Sequence, residues 1–270
     1  MLSIRSIRRS SACTALAIAL APAAAHADII EYPLNPSATP LARAMAGNAP
    51  IVDRAVFSAL PPSARPAAVS TTPLAGFPRT GSSFAILSTG NARLADDPND
   101  DAGAGSQSRG PSIRGARDVV IMRIDLRIPR DANCLSFNFR FLTEEYPEFV
   151  GDIFNDAFIA ELDRSTWTAG TKSDPTIRAP RNFARDRAGN PIRINRAGVE
   201  TMRRRNARGT TYDGATRLLR ASTPITPGRH RLYLSIFDQG DRIYDSAVFL
   251  DDLRANRRTP CRSGIALDRD

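Results

Sequence analysis

Apolar and polar residues alternate with a period of two along several stretches of this 270-residue chain. Met122, Ile124, Leu126 and Ile128 alternate with Arg123, Asp125 and Arg127, and Leu135, Phe137, Phe139 and Phe141 alternate with Ser136, Asn138 and Arg140. Leu232, Leu234 and Ile236 alternate in the same way with Tyr233 and Ser235. Successive side chains of a strand point to opposite faces, so each stretch predicts a strand with one buried face. Ala55-Val56-Phe57, Phe84-Ala85-Ile86-Leu87, Phe154 to Leu162 and Ala247-Val248-Phe249-Leu250 add strands of β-favouring composition. Helical signals are confined to residues 33–52, where Thr39 offers a cap, Pro40 suits the first turn and Gly47 offers a stop. Residues 94–116 are polar and read as an exposed loop, and residues 163–211 as loops with one or two short strands. Many short strands and almost no helix predict an all-β chain, an antiparallel β-sandwich of jelly-roll-like type with one short N-terminal helix.

The first residues do not belong to that pattern. Arg5, Arg8 and Arg9 form a basic leader, Ala12 to Ala25 an apolar run, and Ala25-His26-Ala27 a small-x-small cleavage signature. This combination predicts a signal peptide over residues 1–27, of the general secretory rather than the twin-arginine kind, and a mature chain from Asp28. A single domain is then expected over 28–253, followed by a polar tail over 254–270. No apolar run is long enough to span a bilayer as a helix, so no transmembrane anchor is expected. With Cys13 in the leader, Cys134 and Cys261 remain, and an even number of cysteines in an oxidising compartment predicts a disulfide between them.

Charge adds less than it first promises. The formal net charge is +9, and removal of the three leader arginines leaves +6. Of the 37 basic residues only Lys172 is lysine, a skew that fits codon usage better than selection for phosphate contacts. Many arginines lie between Arg178 and Arg220, but only Phe183 and Tyr212 accompany them as aromatics. Base stacking therefore lacks its platform, and no specific nucleic-acid partner is expected. An extracellular glycan or an anionic surface polymer fits the basic surface better.

Among candidate chemistry, nucleophilic catalysis has little to work with, because His230 is the only histidine outside the leader. Carboxylates are abundant. The stretch "EEYPEFVGDIFND" carries Glu144, Glu145, Asp152, Asn155 and Asp156, and "DQGDRIYD" carries Asp238, Asp241 and Asp245. Should both turns fall at one end of the sandwich, these oxygens could converge on a calcium ion, which takes six to eight of them. The plain alternative is that Asp and Gly build tight solvated turns. Residues 96–103, "DDPNDDAG", fail the EF-hand pattern because glycine falls one place late and no glutamate closes the loop. Phe141, Tyr146, Phe149, Phe154 and Phe158 are expected in or over the core, with Tyr146-Pro147 stiffening the turn.

Four segments carry a resemblance: "ILSTGNA" (86–92), "FLTEEYPEFVGDIFNDAF" (141–158), "YDGATRLLRA" (212–221) and "FDQGDRIYDSAVFLDDL" (237–253). With "LARAMAG" (41–47) and "DLRIP" (125–129) in the expected order, the sequence resembles the bacterial choice-of-anchor L domain family over roughly residues 36–253. The resemblance implies an exported protein and brings no activity with it. Tyr244 to Asp270 hold no apolar span and no sorting motif, so a freely secreted or periplasmic protein is expected. We rank a non-catalytic binding or adhesion module first, glycan-binding and with structural calcium. A carboxylate-based glycan hydrolase and a purely structural envelope or matrix protein remain as alternatives.

Overall fold

The computed structural model describes residues 29–31, 38–46, 50–61, 65–99, 112–195 and 202–268. The expected signal peptide over 1–27, the mature start at Asp28, the helix stop at Gly47 and the middle of the 94–116 loop lie outside the described residues. The N-terminal half runs β1 (Ile29–Glu31), α1 (Thr39–Ala46), β2 (Val52–Ala59), β3 (Ala67–Ser70), β4 (Phe84–Ser88), β5 (Arg117–Ile128) and β6 (Cys134–Thr143). Next come β7 (Ala157–Leu162) and the two-residue strands β8 (Thr168–Ala169), β9 (Ile177–Arg178), β10 (Ile192–Arg193) and β11 (Gly214–Ala215). The chain ends with β12 (Leu219–Pro224), β13 (Gly228–Asp238), β14 (Ser246–Asn256) and β15 (Gly264–Leu267). Short 3-10 turns occupy Ala92–Asp96 and Arg204–Ala207.

Two antiparallel sheets form a sandwich. One has the order β1-β3-β4-β14-β6-β12-β15, with β11 also on β6, and the other β10-β7-β13-β5-β2. Consecutive long strands pass from one sheet to the other, β5 to β6 to β7 and again β12 to β13 to β14, as in a jelly roll. The expected antiparallel β-sandwich with one short helix is what the chain forms. The period of two explains the interior: Met122, Ile124, Leu126 and Ile128 meet Phe137, Phe139, Phe141, Leu232 and Leu234 in one apolar core. Each such side chain contributes about 1.5–3 kcal/mol by leaving water.

Helix α1 adds Leu41, Ala42, Ala44, Met45 and Ala46 to this core. Thr39 does not cap it as expected. Its hydroxyl accepts from Ala55 N at 2.9 Å and donates to Ala55 O at 3.2 Å, tying the helix start to β2.

One expectation is corrected. Ser136, Asn138 and Arg140 were expected on a solvent face, yet all three are buried. Toward its Thr143 end the outer face of β6 meets a second apolar layer, in which Leu142 packs with Leu74, Phe77, Ala207 and Tyr212, and Arg140 donates to Asn206 O at 2.7 Å. The polar tail is held in two ways. Its residues 264–267 form β15, which pairs with β12 from Leu219 opposite Leu267 to Ser222 opposite Gly264. The Cys134–Cys261 disulfide, with Cα atoms 5.7 Å apart, holds the tail to the start of β6 across 127 positions of sequence.

Candidate functional site

At one end of the sandwich β6 runs into the connection 144–156 before β7, and β13 into the connection 239–245 before β14. The last residues of β4 and the first of β5 reach the same end. The two connections are stitched together by their backbones. Glu144 N donates to Asp245 O at 3.1 Å, Asn155 N to Gln239 O at 3.1 Å, and Thr89 N to Ser246 O at 2.9 Å. Outside them, Phe149 packs edge-on to Phe154 with centroids 5.5 Å apart and lies 5.0 Å from Tyr244. Of the expected aromatics, Phe141 and Phe158 are fully buried, while Tyr146, Phe149 and Phe154 are half-buried.

This arrangement encloses carboxylates. Glu144, Glu145, Asp156, Asp238 and Asp245 are each at most 3% exposed, although charged side chains are rarely buried without partners. Glu144 Oε2 accepts from Asp245 N at 3.1 Å, fixing one connection against the other. Asp156 accepts from Gln239 N at 3.3 Å and from Ser246 Oγ at 2.7 Å. Ser246 Oγ in turn stands 2.9 Å from Thr143 Oγ1. Oε2 of Glu145 and Oδ2 of Asp245 are buried with no hydrogen-bond partner among the described residues, and Asp238 has only its contacts with Thr89 and Asp156. Gly90 is required beside them: a Cβ there would fall onto the Asp245 carboxylate.

The electrostatics follow from crowding like charges out of water. Burial, then the charges of Asp156 and Asp241, push Glu145 well above the usual carboxylate range. Burial, then Asp156, Asp245 and Asp118, do the same to Asp238. Asp245 rises for the same first reason, with Glu144, Asp156 and Asp118 adding. Burial lifts Asp156 from 3.8 to about 7, although contacts with Ser246, Asp238 and the Gln239 amide oppose the rise. The Asp156–Asp238 contact is a hydrogen bond only when one of the pair carries a proton, since two carboxylates can only accept. Two such charges about 5 Å apart repel by roughly 3 kcal/mol at an effective dielectric of about 20. The cluster must therefore hold protons or a cation.

The eight candidate oxygen donors divide. Five come together as described, and Asp241 stands half-buried at the rim, accepting from Ile243 N at 3.2 Å. Asp152 turns outward, its carboxylate accepting from Ile153 N at 2.6 Å. Asn155 faces Asn195 and Pro175, at 3.4 and 3.5 Å, and is spent on the neighbouring loop. Asp118, Thr89, Ser246 and Gly90 belong to the site and were not among the candidates. Asp118 is buried and pairs with Arg242 at 3.3 Å. A lone acid at the start of a strand gave no local signal. Among the described residues, no three His, Cys, Asp or Glu side chains already stand in metal-ligand geometry.

His230 makes the other arrangement of note. Its Nδ1 lies 3.1 Å from Asp163 and its Nε2 3.2 Å from Thr226 Oγ1, in the order of a catalytic relay. The adjoining cleft of about 570 Å3 is lined by His230, Asp163, Asp125 and Arg231 but not by Thr226. Thr226, whose hydroxyl would have to attack a substrate, is not part of the cleft wall, and its contact with His230 spans the turn before β13.

Fold and site together define a class: a β-sandwich whose end loops are packed around buried acid groups. All four of the sequence segments singled out above meet there, with Thr89 and Gly90 from the first and Glu144, Glu145 and Asp156 from the second. The third supplies Tyr212, whose phenol is kept protonated by burial and by the charges of Glu144 and Asp245, and the fourth Asp238, Asp245 and Ser246. The model of the choice-of-anchor L domain matches residues 69–253, and the chain belongs to that family. No curated protein matches the sequence. Among solved structures, TmCBM61 in complex with beta-1,4-galactotriose covers 84% of this chain and 99% of its own at 10% identity and a TM-score of 0.30. A likeness that slight carries no argument about ligand or mechanism. No helix among the described residues is long and apolar enough to cross a membrane.

Proposed function

We propose that the protein is an exported, non-catalytic binding or adhesion module of the bacterial surface or extracellular space, with a structural calcium ion closing one end of its sandwich. The observation that carries this reading is the burial of five carboxylates, two of them with an oxygen unpartnered among the described residues, between loops that would otherwise repel one another. Calcium is the cation this donor set fits. Every donor is a hard oxygen, and neither histidine nor thiol is present to favour zinc or copper. Glu144, Glu145, Asp156, Asp238 and Asp245 would hold it, with Asp241 at the rim. Its charge would offset theirs and let the loops close with all carboxylates ionised. The same burial speaks against a glycan hydrolase, whose two acids must face a sugar across roughly 5–10 Å of open cleft. Glu145 and Asp156 at 2% and 1% exposure reach no substrate. Export fits the Cys134–Cys261 disulfide, which persists where thiols are not kept reduced. The ligand is expected to be an extracellular glycan or surface polymer.

Thermal unfolding in calcium and in chelator tests the reading. A ligand bound only by the folded state at about 100 times its dissociation constant adds about 2.7 kcal/mol. For a domain of this size that is an upward shift of the midpoint of about 5–10 °C. An unchanged midpoint at millimolar calcium removes the cation. Turnover of a glycan that is lost in Glu144→Gln or Glu145→Gln would replace the module with an enzyme.

A further inference from the structure

Four arginines from three distant stretches of the sequence are gathered at one place. A cleft of about 660 Å3 beside the disulfide is lined by Arg187, Arg220, Arg258 and Arg262, with Ser222 and Ser263 between them and no acid among the residues that form its wall. A second hollow, sharing Arg220 and Arg258, continues it over β15 and adds Asp268. Arg187, Arg258 and Arg262 are exposed, and none has an ion-pair partner among the described residues. Arg220 is paired with Asp268 and Asp252, and the other three leave a local excess of positive charge on a protein that already carries one.

The cleft is built rather than accidental in its backbone. Arg258 and Arg262 flank Cys261, so the disulfide to the buried Cys134 fixes the loop that carries both. Arg258 N donates to Asn133 Oδ1 at 2.9 Å, and Ser222 Oγ donates to Arg262 O at 2.8 Å. Arg220 is aimed by Asp268 at 2.8 Å and Asp252 at 3.6 Å. Arg187 sits on a turn closed by Asp186 N to Asn190 O at 3.0 Å, and the neighbouring Arg185 O accepts from Ile265 N of β15 at 2.9 Å. The four arginines thus stand on three separately pinned stretches of backbone, so an anion that joins them has only side chains to order.

We infer that this cleft binds a carboxylate-bearing glycan strand. The inference rests on the binding-module reading and supplies its ligand class. Arginine, unlike lysine, matches a carboxylate with two parallel N–H donors, and the serines offer partners for sugar hydroxyls. No aromatic side chain lines the cleft, so bases of a nucleic acid would find phosphate contacts and no stacking.

The test uses the disulfide-intact protein and calorimetric titration with hyaluronan oligosaccharides, whose glucuronates carry the carboxylates, alongside their carboxyl-reduced neutral forms and single-stranded DNA of equal charge. The Arg258→Gln/Arg262→Gln variant should bind hyaluronan roughly tenfold or more weakly, as loss of two charge-assisted contacts implies. The Arg127→Gln/Arg229→Gln variant removes the same charge from exposed, facing positions of β5 and β13 on the other sheet, and should bind as the parent does. Equal weakening of both variants would reduce the effect to net charge and overturn the cleft. DNA bound as tightly, with the same loss in the first variant, would overturn the glycan as occupant. Parent binding that survives in the first variant overturns the cleft while leaving the binding module standing. Absence of binding to every uronate chain overturns the inference, and the module reading falls with it only if neutral glycans are ignored as well.

Discussion

Replacing Asp156 by asparagine should change how the stability of the calcium-free protein depends on pH. Asp156 is fully buried, and its carboxyl is held at about 7 against the ordinary 3.8 of the unfolded chain. A group whose folded pKa is raised favours the folded state while it is protonated, and that advantage is lost as pH rises toward the folded value. A tenfold difference in proton affinity between folded and unfolded chains corresponds to about 1.4 kcal/mol, so this single residue costs the folded protein on the order of 4 kcal/mol between about pH 4 and above pH 7. About 2–3 kcal/mol of this falls between pH 5 and 8, or roughly 5–10 °C of unfolding midpoint. Asparagine keeps the geometry: its Oδ1 still accepts from Gln239 N, and its amide takes the place of a proton facing Ser246 Oγ. In chelator, differential scanning calorimetry from pH 5 to 8 should therefore show a flatter profile for Asp156→Asn than for the parent, the two converging at low pH. With calcium added the parent should reverse its trend, because the cation competes with protons and gains as they leave. Parallel profiles for parent and variant in chelator would refute the account of Asp156 as a buried, proton-holding group.

Other changes separate packing from charge. Gly90→Ala drives a Cβ into the Asp245 carboxylate and should lower stability by about 1–3 kcal/mol and remove the response to calcium, both read from unfolding midpoints with and without the ion. Replacing both half-cystines, Cys134→Ser/Cys261→Ser, frees a loop of 127 positions and should cost about 3–5 kcal/mol in urea unfolding; a loss below about 1 kcal/mol would mean the tail is held by β15 pairing alone.

The sequence by itself determined the sandwich, because alternation with period two survives wherever one strand face meets a continuous apolar layer. It thus placed β5 and β13 and the interior face of β6 correctly, and the residues of four segments carried the resemblance to the family that the chain belongs to. The two cysteines outside the expected leader were enough to anticipate their bond. Only the tertiary structure decided that the second face of β6 is buried too, where an apolar cluster of Leu142 with Leu74, Phe77 and Tyr212, remote in sequence, covers its Thr143 end. It also decided which acids share a volume. Asp152 and Asn155 lie within four positions of Asp156, yet local turns and Asn195 draw them away. Asp118, Thr89 and Gly90 arrive from strand ends far along the chain. The cleft of Arg187, Arg220, Arg258 and Arg262 has the same origin, for it exists only once a disulfide and β15 bring the tail beside β12. Periodicity reports a residue's nearest layer, whereas clusters of charge are made by the closure of loops, and that closure is a property of the whole fold.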